Sequence, residues 1–260
     1  MPQSIRKERI ISKIKLLVLV LLITAGSANA EPLKICYEAS LLFKIGESCI
    51  EYNVEDDMLR MKSSQHTTGL IDVAHHMEQR TAADISLSPF KSVYMYFYEK
   101  SERKSMTHLY FYKDKLLYSG NTFRYKDSRY KSFKKEFDME GVLDPAAVVM
   151  FVQLYDLEEE GILKTFFDGK YIDITYKKAG EKDIRFEGED YPCKVVEFQV
   201  PVKTSSLVTP TGLWRIYIDK ETGVIMRLEL QFPLGNAKLK TVSITGDRDL
   251  LKSYIGRKTL

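Results

Sequence analysis

Apolar residues recur at every second position along much of this chain, and a two-residue period admits one backbone, an extended strand whose side chains point to opposite faces. The clearest case is Val224, Met226, Leu228, Leu230 and Phe232 against Ile225, Arg227, Glu229 and Gln231. One face is dry and the other wet, as in an antiparallel sheet curling around a core. Leu33, Ile35, Tyr37, Ala39 and Leu41 repeat the pattern, and Ser48, Ile50, Tyr52 and Val54 resume it after Lys44-Ile45-Gly46. These two stretches predict a hairpin turning at Lys44 to Gly46.

Matching apolar faces places Tyr37 opposite Tyr52 and Ala39 opposite Ile50. Cys36 then falls opposite Asn53, four residues along from the rung that holds Cys49, or roughly 13 Å, too far for a disulfide. The apolar face of the later strand is read as Val196, Phe198 and Val200, which puts Cys193 on the solvent side. A bridge from Cys193 to Cys36 or Cys49, or three free thiols, remain open, with the free thiols preferred.

Further strands are expected at Met58 to His66, Lys91 to Lys100, Ser105 to Lys113, Lys115 to Tyr125 and Tyr130 to Phe137. Leu70, Val73, Ala74 and Met77 take helical spacing, so a short helix starts at Gly69 and a loop runs on to Pro89. Asp144-Pro145 is a helix start, a capping carboxylate followed by proline at the first helical position, leading into Ala146 to Leu157. That helix is apolar around much of its girth and must lie against the sheet. Strands return at Ile162 to Phe167, Tyr171 to Lys178, Asp183 to Phe186, Pro192 to Val200, Leu213 to Asp219, Val224 to Phe232 and Ala237 to Ile244. The fold class is therefore mainly β: an antiparallel sheet that curls around a core, with one or two helices packed against it. Sixteen Tyr and 13 Phe exclude a disordered chain.

The first 30 residues stand apart. Arg6, Lys7, Arg9, Lys13 and Lys15 precede the apolar run Leu16 to Ala25, and Ala28-Asn29-Ala30 follows it. That order fits a cleavable signal peptide over 1–30, and the apolar run falls short of the roughly 20 residues that span a bilayer. The nearest cysteine after Ala30 is Cys36, so a lipid anchor at the cut is not expected. The expectation is a periplasmic, non-lipidated protein with no transmembrane segment after cleavage. It would hold a single antiparallel β domain at 31–246 and a polar C-terminal tail at 247–260. Removing five basic residues and Glu8 turns 39 basic and 36 acidic residues into 34 and 35, a charge of −1 in place of +3. Nucleic acid, bound largely through Lys and Arg on phosphates, is thereby a poor partner.

No Gly-x-Ser-x-Gly elbow, His-Glu-x-x-His, Walker loop or Gly-x-Gly-x-x-Gly occurs. His75 and His76 are adjacent on a helix and point about 100° apart, a poor metal pair. His66 and His108 read as isolated histidines. Glu158, Glu159, Glu160, Asp56 and Asp57 sit at element ends as solvated charge. No catalytic residue, metal or cofactor is expected, and an enzyme is the less favoured reading. Tyr94, Tyr96, Tyr98, Tyr110 and Tyr112 are expected to share one face of neighbouring strands, an aromatic surface for interaction.

The order of parts resembles a family of exported bacterial proteins known as a domain of unknown function, with a fold similar to the half-barrel of lipoprotein carriers. The residues carrying the resemblance are the Leu33 to Val54 hairpin with Gly46-Glu47, Thr68-Gly69-Leu70-Ile71 and Leu87-Ser88-Pro89-Phe90. Asp144-Pro145-Ala146, Phe167-Asp168-Gly169-Lys170 and Tyr191-Pro192-Cys193-Lys194-Val195 complete it. The resemblance implies a curved antiparallel sheet or half-barrel with one or two helices on its concave side, leaving an apolar pocket lined by Met150, Phe151 and Leu154 from the helix and Phe97, Phe111, Trp214 and Met226 from strands. The resulting expectation is a non-enzymatic protein that binds or escorts an apolar or amphipathic ligand such as a lipid, with lipid or lipoprotein as partner. The alternative is a structural or assembly factor of the envelope that shows its aromatic strands to a partner protein.

Overall fold

The computed structural model describes residues 31–74, 76–139, 141–200, 212–232 and 235–257; the leader expected at 1–30 lies outside them. Fourteen strands dominate. The first eight are β1 (Leu33–Ser40), β2 (Lys44–Glu55), β3 (Met58–Thr67), β4 (Met77–Leu87), β5 (Phe90–Ser101), β6 (Lys104–Tyr112), β7 (Leu116–Arg124) and β8 (Arg129–Phe137). The other six are β9 (Glu160–Phe167), β10 (Lys170–Phe186), β11 (Glu189–Gln199), β12 (Leu213–Asp219), β13 (Ile225–Phe232) and β14 (Gly235–Thr245). Two helices interrupt them, α1 (Gly69–Ala74) and α2 (Pro145–Leu154).

All 14 strands join one open antiparallel sheet in which β1 sits centrally between β2 and β14, and β8 and β9 are the edges. The chain enters in the middle, meanders outward to β8, crosses to the opposite edge at β9, and meanders back until β14 pairs with β1. Each meander step needs only a short turn, which is why a period-two sequence with frequent Gly and Asp builds it. The sheet curls enough that its edges approach through side chains rather than backbone. The rings of Phe137 and Phe166 lie 4.6 Å apart, and the Tyr171 hydroxyl donates to the Asp138 carbonyl at 2.6 Å. Leu143 runs parallel beside Thr165 on β9, covering part of that edge.

The crossing segment carries α2 under the inner face. Asp144 caps it, its Oδ1 accepting from the Ala147 N–H at 2.8 Å, and Pro145 occupies the first turn. A cap of this kind contributes about 1 kcal/mol. Ala146, Ala147, Val148, Met150, Val152 and Leu154 are all buried, as an all-round apolar helix requires when covered by a curled sheet. The helix stops at Leu154, not Leu157, because Tyr155 leaves it to pair with Arg257. Within the expected polar tail, Leu250 and Leu251 are buried and a short 3-10 turn spans Lys252–Tyr254.

The register of the first hairpin differs from the one its apolar faces predict. The first hairpin turns at Leu41 to Phe43, pairing Ile35 with Ile50 and Cys36 with Cys49, which form a disulfide. The apolar Leu42 and Phe43, exposed at that turn, looked like strand and moved the expected turn onto Lys44 to Gly46. Cys193 is the one free cysteine among the described residues and is buried, not solvent-facing. Both faces of β11 are covered there: Val196 and Phe198 point inward, while Tyr217, beside Val195, lies under the Arg227 guanidinium on the outer side. The loop expected before Pro89 is β4, and the break expected between Lys178 and Asp183 is an irregularity within β10, where Gly180 adopts φ +86°.

Candidate functional site

One row of side chains crosses seven strands of the inner face: Leu33, Tyr52, Met61, Ala83, Met95, Tyr110 and Tyr118 are successive register partners and all buried. At the β6 and β7 end of this row the interior is filled by rings. Phe166 lies 4.6 Å from Phe137, 5.5 Å from Tyr118 and 6.2 Å from Tyr110. Among them His108 is buried, with the Tyr118 and Tyr110 hydroxyls 3.3 and 3.4 Å from its Nδ1. Tyr118 also donates to Asp168 Oδ1 at 3.4 Å, and the Asp168 N–H donates to the Tyr110 hydroxyl at 3.3 Å. Burial pushes the His108 pKa down, against a smaller upward pull from Asp168, and burial holds both tyrosines well above their ordinary value. Gly120 makes this packing possible. A Cβ there would meet His108 Cδ2 at 2.6 Å and Phe133 Cζ at 2.8 Å.

Beside α2 the interior opens instead. A cleft of about 740 Å³ lies between the helix, the start of β5 and the crossing segment. Its walls include Phe90, Tyr112, Val142, Leu143, Phe151 and Tyr155. Phe151 and Tyr155 stack at 4.6 Å, and Phe90 stands 5.5 and 5.2 Å from them. The helical spacing of 151 and 155 puts both rings on one side, and β5 brings Phe90 across from them. Two cations, Arg257 and Lys91, belong to the lining, which holds no carboxylate among the described residues. Arg257 is held in place, its Nη1 donating to the Leu87 carbonyl at 2.9 Å and its guanidinium 4.4 Å over the Tyr254 ring. The hydroxyl of Tyr112 is buried with no hydrogen-bond partner.

Asp144 lies behind this wall. Its N–H donates to the Ser92 hydroxyl at 2.8 Å, while Oδ2 is buried and unpartnered. Burial raises its pKa to about 6, hydrogen bonds from the helix start opposing the shift. The protonated acid is therefore favoured in slightly acidic solution.

Of the seven side chains expected to line a cavity, Phe151 alone borders the cleft. Met150, Leu154 and Met226 are core residues, Phe97 packs in the ring-filled half at 5.5 Å from Phe167, and Trp214 is half-buried on β12. Phe111 is 45 % exposed on the outer face, its ring 5.1 Å from Tyr94. Nor do the five tyrosines share a surface. Tyr94 pairs with Phe111 and Met95 with Tyr110, so Tyr94, Tyr96 and Tyr98 face outward while Tyr110 and Tyr112 are interior. A one-residue offset between β5 and β6 decides this, and alternation within either strand cannot reveal it. Phe90, Tyr112, Tyr155 and Arg257 were missed as lining. The Leu87-Ser88-Pro89-Phe90 motif marked the first, but nothing local marks Arg257.

His76 Nδ1 donates to Asp72 Oδ1 over 2.8 Å, whereas His75 lies outside the described residues. Among the described residues no three His, Cys, Asp or Glu side chains gather as metal donors, and no helix is long and apolar enough to cross a membrane.

Comparison with known proteins bears on the fold. A crystal structure of a beta-barrel-like protein of domain of unknown function DUF1849 from Brucella abortus superposes with a TM-score of 0.55 at 8 % sequence identity. The match covers 85 % of this chain and 99 % of that one, a likeness of fold alone. No curated protein matches the sequence. The family model described as a protein of unknown function, DUF3108, matches residues 36–242, and the chain belongs to that family.

Proposed function

We propose that this is an exported, non-enzymatic protein that binds an amphipathic ligand of the lipid type, its apolar part entering the cleft beside α2. The observation carrying the reading is the cleft itself, about 740 Å³ with aromatic and aliphatic walls and a fixed guanidinium among them. Its volume falls within the roughly 300–1,000 Å³ of small-molecule sites. Each methylene transferred from water to such walls contributes about 0.8 kcal/mol. The apolar walls favour a hydrocarbon chain, and Arg257 and Lys91 favour an acidic head, so both ends of an amphiphile have a counterpart. Export rests on the arrangement of residues 1–30. The assembly-factor alternative is weakened because Tyr110 and Tyr112 are interior.

Native mass spectrometry with lipid extraction, on the purified wild type and on Phe151→Asp, tests the reading. A co-purifying amphiphile in the wild type, strongly depleted in the variant, is the expected result. Wild-type protein that carries and takes up no lipid would remove it.

A further inference from the structure

The β7–β8 hairpin differs in charge from the rest of the domain. Residues 113–137 hold eight basic and three acidic residues, a net charge of +5 within a chain that totals −1 without its first 30 residues. Lys126, Lys131, Lys134 and Lys135 have no carboxylate within ion-pair distance among the described residues, whereas Arg129 and Arg124 share Asp127 at 3.2 and 4.0 Å. Phe123 and Tyr130 are register partners near the tip, and the Tyr125 ring stands 5.5 Å from Phe123. All three aromatics are exposed, Tyr130 by 66 %. Arg124 and Arg129 form the next rung, and Arg103 on the adjoining turn accepts the Tyr125 N–H through its carbonyl at 3.0 Å.

Lysines on an edge strand commonly prevent sheet-to-sheet pairing. That role does not call for exposed aromatics, and the opposite edge, β9, carries the single cation Lys164. Cations surrounding a cluster of Phe and Tyr match the two layers of an anionic bilayer surface, where phosphates attract the former and the headgroup boundary takes up the latter.

We propose that the tip of the β7–β8 hairpin docks the protein on an anionic lipid bilayer, with Phe123, Tyr125 and Tyr130 entering the headgroup region. This surface is separate from the cleft and does not depend on a ligand occupying it. The test is co-sedimentation of the chain lacking residues 1–30 with phosphatidylcholine vesicles made with and without phosphatidylglycerol, at low and high salt. Binding is expected only with phosphatidylglycerol, weakened by salt. Each lysine near such a surface changes partitioning roughly fivefold, so Lys126→Gln/Lys131→Gln/Lys134→Gln should lose on the order of a hundredfold. Phe123→Ser/Tyr130→Ser should lose about tenfold with an unchanged salt slope. Unaltered circular dichroism and melting of both variants separates loss of docking from loss of fold. Equal binding to neutral vesicles, or full binding by the lysine variant, overturns the proposal. So does a soluble polyanion such as dextran sulfate that binds as tightly and ignores the aromatic substitutions.

Discussion

Two regions of the same inner face are lined by aromatic rings, yet one is solid and the other hollow. Around Phe166 the rings come from both edges of the curled sheet, β7 and β8 on one side and β9 on the other, and meet in the middle. Around Phe151 they come from α2 and the start of β5, while Met139 and Gly141 to Leu143 form a third wall. Aromatic content alone therefore does not fill a core. Filling requires that facing walls bring their rings into contact, as Phe137 and Phe166 do at 4.6 Å, whereas about 740 Å³ stays open beside α2.

The largest test of this contrast is Phe166→Ala. Its ring is fully buried among close neighbours, so removal should cost about 3–5 kcal/mol in urea denaturation. Phe151→Ala, at the open cleft, should cost less than about half of that. Equal losses would mean the cleft is as tightly packed as the solid half.

Acidity separates the regions next, because each buries a group that prefers to be neutral, one acid and one base. Asp144 has a folded pKa of about 6 against an ordinary 3.8, so the unfolded chain loses its proton first as pH rises. Its contribution to stability therefore falls between about pH 4 and 6, by about 3 kcal/mol at most. His108 has a folded pKa below 6.5, so the unfolded chain takes a proton first as pH falls, and its contribution is lost on acidification below about 6.5. Denaturation of Asp144→Asn across this range should show the variant gaining on wild type as pH rises, while asparagine still caps α2. A difference that does not move with pH would show that Asp144 is ionised throughout.

A smaller loss is expected from Gly120→Ala. The added methyl would stand 2.8 Å from the Thr107 carbonyl oxygen as well as against His108, which a rigid backbone relieves poorly. Overpacking of this size costs about 1–3 kcal/mol, read as a lowered melting temperature. Smallest of all is the reactivity of Cys193. Burial pushes its thiol up to about 12, so a thiol reagent at neutral pH should leave the folded protein untouched and label it only on unfolding. Rapid labelling of the native protein would mean that β11 is not covered on both faces.

Much of the fold was legible in the chain. The strand-rich class, the Asp144-Pro145 helix start and the Leu213 to Asp219 strand follow from period, capping chemistry and proline placement, all of which act within a few residues. The candidate site was far less so. Phe151 could be named because a helix apolar all round must be covered, but Phe90, Tyr112 and Arg257 are separated from it by up to more than a hundred residues. The Cys36–Cys49 bridge is excluded when the turn is placed at Lys44 to Gly46, and the turn at Leu41 to Phe43 brings the two cysteines opposite each other.

By itself the sequence determined which segments are extended and which faces of each are apolar, because the alternation of side chains is a property of one strand. Register, curl and the meeting of the two edges belonged to the tertiary structure. A strand can slide by two residues against its neighbour and keep its apolar face inward, so only the whole set of turns, bulges and packed rings selects one alignment. That selection put Tyr94 and Tyr110 on opposite faces, joined Cys36 to Cys49, and left a hollow where α2 crosses the sheet.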